Sequence, residues 1–427
     1  VKIRGKRLDI MKAHMDKDKA VYLKLTSMYA SIANYWKYFI GQTEQLKRLH
    51  VVDQKMDNEA AFTKWAYKNA PEYKGLMRDF SKIYNGYNTY AKHAVYYSEC
   101  FKAPALAKLG ASTEKLYEEL DKENPNQDTI KKHVDAIKSA RKSIMKTFDK
   151  GTETELTAEM LKLFYQDIPK SQHPSVYERV IFKKFGGDDM DKTFRNYAAY
   201  LMDNNMFLDS NKFNAFCAHP TLEKMDEDPV VVYALSFVYN YTTYYEPKVD
   251  AFAKRKKELA KEYVRGLMEM NKNKLFYPDA NSTMRITYGK VLGYSPQDAV
   301  HYDYFTTLDG YVAKIKPGDD EFDSPKELVD LYKKKDYGMY VDADGTLHTD
   351  FITNNDITGG NSGSPIINGN GEWIGIAFDG NWEAMSGDIA FDKNYKRTIC
   401  TDARFILFLI EKLGKAHNLI EEMEIRK

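Results

Sequence analysis

The sequence predicts an α+β protein in which a large α-helical domain, residues 1–280, precedes a smaller β-rich domain, residues 281–427. Apolar residues before residue 280 recur with the 3.6-residue period of helices, whereas short alternating segments follow it. Glycine use changes at the same point, because nine glycines precede residue 280 and fifteen lie in the shorter remainder. A chain of 427 residues is also long enough for two or three domains with cores of their own.

The helical domain contains a long amphipathic helix whose apolar stripe follows the i, i+3, i+4, i+7 spacing. The stripe consists of Leu25, Met28, Tyr29, Ile32, Trp36, Phe39 and Ile40, and Gly41 is expected to end the helix. Further helices are predicted around residues 54–69, 75–100, 112–121, 127–148, 154–164, 190–206 and 248–270. The aromatic run Tyr233–Tyr245 has no basic stripe interleaved, so we interpret it as helix core rather than as a base-stacking surface.

The β-rich domain is predicted from alternating apolar and polar residues. The segments with this alternation are 284–289, 310–315 and 373–378. Asn368-Gly369-Asn370-Gly371 is a hairpin turn signal that joins a strand at 365–367 to the strand at 373–378. Helices are expected over 324–335 and 403–413.

Composition excludes several classes of function. Lys and Arg number 63 against 62 Asp and Glu, so no net basic field points to nucleic acid. No apolar run approaches the roughly 18 residues that a membrane helix needs, and no signal peptide is visible. Cys100, Cys217 and Cys400 lack metal-ligand spacing, and their odd number argues against a disulfide-dense scaffold, although one bridge stays open. We expect no metal or organic cofactor.

The most informative segment is 356–365, Asp-Ile-Thr-Gly-Gly-Asn-Ser-Gly-Ser-Pro. It matches the Gly-Asp-Ser-Gly-Gly-Pro signature of chymotrypsin-like enzymes at all but two positions, Asn361 and Ser364. Glycines around Ser362 let the backbone approach a substrate carbonyl closely. The pattern predicts that Ser362 is a nucleophile and that the amides of Gly360 and Ser362 form an oxyanion hole. The alternative is an ordinary serine in a turn.

Other segments extend this pattern, namely 34–42, 285–294, 375–383 and 397–404. Together with 356–365 they resemble the S46 family of bacterial serine dipeptidyl peptidases over nearly the whole chain. The resemblance implies a chymotrypsin-like double β-barrel with a large helical domain inserted between its halves. This chain would then contain the inserted helical domain and the C-terminal half of the barrel.

The resemblance also implies that the catalytic His and Asp precede the helical domain, because chymotrypsin-like order is His, Asp, Ser. None of the nine histidines lies in the small-residue β-turn expected around a catalytic imidazole. His301 and His348, in the β-rich part, are the nearest candidates. The general base and its orienting acid are therefore expected outside this chain.

Four further positions are candidates for substrate recognition, and we predict that role at three of them. Asp356 lies six residues before Ser362, where trypsin-like enzymes select Lys or Arg, but we interpret it as structural. In the family, Arg at position 380 accompanies acidic P1 side chains and Gly accompanies bulky apolar ones, so Gly380 implies a hydrophobic P1 preference. Asp379 and Asn34, the latter opposite the apolar stripe, are candidates for binding the α-ammonium of the substrate.

The resulting hypothesis is a serine exopeptidase that releases dipeptides from peptide N-termini through an acyl-enzyme on Ser362. One alternative is a catalytically incomplete fragment that acts at most as a peptide-binding module. Another is an acidic-P1 dipeptidyl peptidase of the same family, which Gly380 disfavours. The resemblance further implies a homodimer located in the periplasm or at the cell surface.

Overall fold

The computed structural model describes residues 1–278, 281–319 and 321–426. The chain separates into two compact units. The helical unit comprises Val1–Lys37 and Asp57–Phe276, and the sheet unit comprises Tyr38–Met56 and Tyr277–Lys427. The domain boundary predicted at residue 280 stays a prediction.

The first fifteen α-helices precede all of the described strands. They are α1 (Lys2–Met15), α2 (Lys19–Arg48), α3 (Val51–Asn69), α4 (Leu76–Asn88), α5 (Ala91–Tyr96), α6 (Ala105–Ala111), α7 (Glu114–Leu120), α8 (Gln127–Ile144), α9 (Lys150–Asp167), α10 (Lys183–Phe185), α11 (Met190–Asp203), α12 (Ser210–Ala218), α13 (Leu222–Glu227), α14 (Pro229–Tyr244) and α15 (Glu246–Met270). Each helical segment predicted before residue 280 overlaps at least one of these helices. The segment at 75–100 is divided into α4, α5 and a π-helical turn, Tyr97–Phe101.

Helix α14 shows how sequence and core agree in the helical unit. Asp228 caps its N-terminus by accepting from the amides of Val230 and Val231, and a proline follows directly at the first helical position. Tyr233 and Phe237 are each 1% exposed and belong to the main core. The interpretation of the aromatic run as helix core is confirmed.

Helix α2 does not end at Gly41, so that prediction is wrong. The helix continues to Arg48. A Cβ at Gly41 would lie 2.9 Å from Cγ of Met385 and 3.2 Å from the ring of Trp382. Glycine is therefore required here by the close approach of another chain segment within the sheet unit, not by a helix end.

The sheet unit contains a two-stranded and a five-stranded antiparallel sheet among the described residues. Its strands are β1 (Tyr294–Gln297), β2 (Val300–Tyr302), β3 (Phe305–Thr307), β4 (His348–Thr353), β5 (Pro365–Ile367), β6 (Trp373–Gly380) and β7 (Thr398–Asp402). The larger sheet has the order β3-β4-β7-β6-β5. The remaining α-helices of the sheet unit are α16 (Leu308–Val312), α17 (Lys326–Lys334), α18 (Ala403–Phe408) and α19 (His417–Glu421). A π-helical turn, Leu409–Leu413, follows α18. The α+β class is confirmed.

Two predicted strands are wrong. Residues 284–289 form no strand, and the apolar side chains of Met284, Ile286 and Tyr288 are 80–92% exposed. Apolar and polar residues alternate in this segment, but no strand among the described residues pairs with it and buries its apolar side chains. The segment 310–315 instead overlaps α16, because Leu308 is buried in a core with α17 and α18 and draws the chain into a turn after β3.

The predicted hairpin is confirmed. The register pairs Pro365 with Ile376, and the amide of Asn368 donates to the carbonyl of Glu372 over 2.9 Å. Gly371 has φ +84°, the left-handed conformation that glycine adopts without strain. The helices predicted at 324–335 and 403–413 are also confirmed, the second ending in the π-helical turn.

Within the described ranges, no helix is both long and apolar enough to span a bilayer. The three cysteines are free thiols, two of them buried. No group of three or more acidic, His or Cys side chains in the described parts of the chain could hold a metal ion.

Candidate active site

Ser362 lies exposed in the loop that connects β4 to β5. Gly360 and Gly363 on either side have φ +101° and +81°, so the turn depends on glycine at these two positions. The Ser362 hydroxyl donates a hydrogen bond to the backbone carbonyl of Phe378, 3.3 Å away on β6. The sequence therefore builds a turn, with glycine at 360 and 363, that presents the Ser362 hydroxyl.

The C-terminal side of this loop is fixed to strand β6. The amide of Gly363 donates to the carbonyl of Ala377 over 2.7 Å, and the amide of Ala377 donates to the carbonyl of Ser364 over 2.9 Å. The register of β6 against β7 shifts between Ala377 and Asp379, which leaves Phe378 as the extra residue of a β-bulge. The bulge therefore lies at the residue whose carbonyl binds the Ser362 hydroxyl.

Side chains fix the N-terminal side of the loop. The Asn361 amide oxygen accepts from the guanidinium of Arg285 over 2.6 Å and from the amide of Thr358 over 3.2 Å. The Thr358 hydroxyl donates to Asp388 over 3.0 Å. Asn361, one of the two departures from the chymotrypsin-like signature, thus holds the turn together.

The amides of Gly360 and Ser362 remain available to a ligand. Among the described residues neither amide has a hydrogen-bond acceptor, whereas the next two amides, of Gly363 and Ser364, are both bonded. Two unpaired N–H groups beside an exposed hydroxyl are what an oxyanion hole requires. The assignment of that role to Gly360 and Ser362 stays a prediction.

No histidine lies in hydrogen-bond contact with the Ser362 hydroxyl within the described residues. His301 lies 3.3 Å from the hydroxyl of Ser295. His348 is buried, lies 3.2 Å from Asp342 and stacks on Phe305 with ring centroids 4.0 Å apart. Both candidate histidines, His301 and His348, are therefore engaged elsewhere.

Asp356 begins the loop and forms an ion pair. Its carboxylate accepts from the ammonium of Lys396 over 2.5 Å, and the same ammonium donates to the carbonyl of Ile357 over 3.2 Å. The Lys396 side chain is only 4% exposed. Asp356 thus anchors the loop, in agreement with its interpretation as structural.

Asp379 and Gly380 lie at the end of β6. Asp379 is exposed, and its carboxylate accepts from the amide of Gly380 over 2.7 Å. A Cβ at Gly380 would meet the Cβ of Ala384 at 3.1 Å. Asn34 is exposed on α2 in the helical unit, so it lies in a different unit from Asp379, Gly380 and Ser362. The substrate-binding roles of these residues stay predictions.

The comparison with known proteins decides the family. A family model described as Peptidase S46 matches residues 1–425. This chain belongs to the S46 peptidases.

The S46 chain is similar to three curated relatives of two kinds. It is 38% identical to the dipeptidyl-peptidase 7 of Capnocytophaga gingivalis over 98% of its length, and 37% identical to that of Phocaeicola vulgatus over 100%. It is also 34% identical, over 100% of its length, to the Asp/Glu-specific dipeptidyl-peptidase of Flavobacterium psychrophilum. The chain spans 58% of each of these three relatives.

Solved structures of an S46 relative match the fold. The crystal structure of Porphyromonas endodontalis DPP11 in complex with the dipeptide Arg-Glu has a TM-score of 0.85 and 27% identity. That match covers 99% of this chain and 59% of the DPP11 chain. The complex of the same DPP11 with Arg-Asp matches with a TM-score of 0.84 and 26% identity, over 100% of this chain and 60% of that one.

Two supports of this S46 site were not predicted from the sequence. Lys396, the partner of Asp356, directly precedes the family-like segment that starts at Arg397. Arg397 is 2% exposed and donates to the carbonyls of Gly293 and Lys393, over 2.8 and 2.9 Å. Burial lowers the pKa of the Arg397 guanidinium, since these hydrogen-bond acceptors are carbonyl groups and not carboxylates. The sequence shows that both residues are basic, but it does not show which groups they bind, because Asp356 and Gly293 are distant from them in the chain.

Proposed function

We propose that the protein to which this chain contributes is a serine dipeptidyl peptidase. The observation that carries the proposal is the exposed Ser362 hydroxyl beside the two unpaired amides of Gly360 and Ser362. In the proposed reaction the Ser362 oxygen attacks the carbonyl of the second peptide bond from the amino end of the substrate. The two amides stabilise the oxyanion of the tetrahedral intermediate. Its C–N bond then breaks, the amine leaves with the proton that the base took from the serine, and water hydrolyses the remaining acyl-enzyme.

The hydroxyl of a serine needs a neighbouring base before it becomes a strong nucleophile. Because no described histidine contacts Ser362, the proposal takes the base and its orienting acid from the additional length that the relatives possess. In this proposal the sheet unit is the C-terminal half of a chymotrypsin-like double barrel. The exposed side chains of Met284, Ile286 and Tyr288 would then contact the other half.

Release of dipeptides requires that the enzyme bind a charged amino group two residues from the scissile bond. Asp379 is exposed near the end of β6 and directly follows Phe378, the bulge residue whose carbonyl accepts from the Ser362 hydroxyl. A carboxylate accepts charge-assisted hydrogen bonds from an ammonium. The proposal assigns this role to Asp379, with the amide oxygen of Asn34 as a second acceptor.

The P1 preference has two candidates. Gly380 places no side chain at the position where the family resemblance implies an arginine for acidic P1 residues, and this favours a hydrophobic P1. The comparisons favour the acidic alternative instead, because one relative is named Asp/Glu-specific and the matched DPP11 complexes hold dipeptides ending in Glu or Asp. The peptidase proposal does not depend on which candidate holds.

The peptidase proposal is tested with the full-length protein and its Ser362→Ala variant. We expect loss of dipeptide release by at least about a thousandfold, because removal of a nucleophile leaves only binding and the oxyanion hole. Ser364→Ala is the matched control, since Ser364 contributes its backbone to the same loop and should keep most of the activity. Full activity of Ser362→Ala would overturn the nucleophile role of Ser362. A full-length protein that bound peptides without cleaving them would favour the peptide-binding alternative.

The P1 candidates are separated by chromogenic dipeptides that differ only at P1, with Leu, Phe, Asp or Glu. Faster cleavage after Leu and Phe supports the hydrophobic candidate, and equal or faster cleavage after Asp and Glu supports the acidic one. Under the hydrophobic candidate, Gly380→Arg should move the ratio of kcat/KM toward the acidic substrates by about tenfold or more. Homodimer formation and a periplasmic or cell-surface location remain proposals from the family resemblance.

A further inference from the structure

An ion pair with a buried lysine lies at the start of the nucleophile loop. The Lys396 ammonium is 2.5 Å from the Asp356 carboxylate and 5.2 Å from the ring centroid of Phe391. Asp356 also lies 3.5 Å from the hydroxyl of Tyr277 and keeps 39% of its side chain exposed, whereas Lys396 keeps 4%. The Asp356 carboxylate is therefore accessible to a ligand, whereas the Lys396 ammonium is shielded from solvent.

The pair adjoins the wall that carries Gly380. Ala384 is the link, because its Cβ lies 3.1 Å from the Cβ position of Gly380 and its carbonyl 2.9 Å from that of Gly387. A Cβ on Gly387 would fall 2.4 Å from the Lys396 nitrogen, so only glycine leaves room for the ammonium there. Small residues therefore lie between Lys396 and Gly380, the residue proposed to shape the P1 pocket.

A buried lysine is retained in a protein only where its charge is compensated. The carboxylate of Asp356 compensates the charge of Lys396, and the ammonium of Lys396 compensates the charge of Asp356. A lone carboxylate six residues before the nucleophile would attract a cationic P1 side chain, as it does in trypsin-like enzymes. A lone ammonium at the same position would attract an acidic one.

We propose that Lys396 sets the charge at the base of the P1 pocket by neutralising Asp356, so that this base favours neither a cationic nor an acidic P1 residue. The inference rests on the proposed dipeptidyl peptidase function and adds a specificity-determining pair to it. Lys396 acts through Asp356 and is a positioning residue. Charge selection at P1 is then left to the residue at position 380.

The test uses the full-length protein, three variants and three dipeptidyl substrates that differ only in P1, with Leu, Lys or Glu. Lys396→Met leaves the carboxylate alone and should raise kcat/KM for Lys over Leu by about tenfold or more. Asp356→Asn leaves the ammonium alone and should raise kcat/KM for Glu over Leu by a similar factor. The double variant D356N/K396M carries no charge, so its ratios should return to within about threefold of the unaltered protein.

A purely structural role for the pair predicts a different result, because a distorted loop lowers kcat/KM for all three substrates together. Ratios that stay within about threefold in both single variants would overturn the inference while Ser362-dependent cleavage persists. If a single variant fails to fold, the double variant decides, and a large change in its ratios overturns the inference. If the unaltered protein cleaves none of the substrates, the proposed function fails and the inference fails with it.

Discussion

Ser362 and Phe378 are joined by a hydrogen bond from the serine hydroxyl to the phenylalanine backbone carbonyl, 3.3 Å away. Phe378 is the extra residue of the bulge between β6 and β7, so the bulge determines where this acceptor lies. A carbonyl cannot take a proton as a general base does, so in the proposed reaction the hydroxyl exchanges this partner for a base before it attacks. Under that proposal, the sheet holds the Ser362 hydroxyl at this carbonyl until a base engages it.

Gly360→Ala is predicted to impair catalysis. The φ of +101° at Gly360 strains any residue with a Cβ, by about 1–3 kcal/mol, and relief of that strain would turn the amide away from the oxyanion. We expect kcat/KM to fall by about a hundredfold or more, which is the cost of one oxyanion donor. The measurement is steady-state hydrolysis by the full-length protein.

Gly371→Ala is the matched control for this change. Gly371 has φ +84° in the β5–β6 hairpin, and a Cβ there meets no atom within 4 Å, as at Gly360. Both variants should lose similar stability in thermal unfolding, but only Gly360→Ala should lose activity. An equal loss of activity in both would show that the oxyanion role is wrong.

Asp379→Asn is predicted to weaken recognition of the substrate amino group. The variant keeps an oxygen that can accept from the Gly380 amide, so the strand end should remain intact while the negative charge is lost. We expect kcat/KM to fall by about tenfold to a hundredfold for substrates with a free amino terminus. Acetylated substrates, which carry no ammonium, should be cleaved poorly and equally by both proteins. A parallel loss with both substrate types would exclude the amine-binding role.

Gly41→Ala is predicted to destabilise the protein. The new Cβ would approach Cγ of Met385 to 2.9 Å, and this overpacking should lower the free energy of unfolding by about 1–3 kcal/mol. The control is Gly86→Ala in α4, where a Cβ meets nothing within 4 Å and helix propensity should raise stability by about 0.5–1 kcal/mol. Denaturant unfolding of both variants measures the difference. If Gly41→Ala were as stable as Gly86→Ala, close packing would not be the reason for glycine in α2.

His93 is predicted to make the helical unit sensitive to acid. The imidazole is buried, donates from Nε2 to the side-chain amide oxygen of Asn240 over 3.0 Å and stacks on Tyr245, and burial lowers its pKa from 6.5 to about 4. Between these values the unfolded chain binds more protons than the folded one, so stability falls as the pH is lowered from 6.5 toward 4. One such proton contributes at most about 1.4 kcal/mol per pH unit.

The comparison is between the unaltered protein and His93→Gln, with the midpoint of thermal unfolding followed from pH 7 to pH 4. The variant should be less stable at pH 7 but should lose less stability on acidification. His219→Gln, a change at an exposed histidine, should leave the acid dependence unchanged. Identical pH profiles for all three proteins would contradict the assignment to His93.

Features that depend on neighbouring residues could be predicted from the amino-acid sequence. The order of helical and β-rich parts, the β5–β6 hairpin and the glycine turn around Ser362 were all predicted, because periodicity and positive φ are properties of short segments. The S46 resemblance was visible for the same reason, in short runs of residues. The position of the candidate site at Ser362 therefore follows from local sequence alone.

Contacts between distant segments could be assigned only from the fold. Lys396 and Asp356 are separated by 40 residues, and nothing near either residue indicates the other. Gly41 predicted a helix end, but in the fold it lies against Met385 inside a continuous helix. The alternation of Met284, Ile286 and Tyr288 predicted a strand, but these side chains are exposed. Local sequence determines which backbone conformations are low in free energy. Burial and charge pairing depend on residues that are distant in the chain, so they are determined only when the fold brings those residues together.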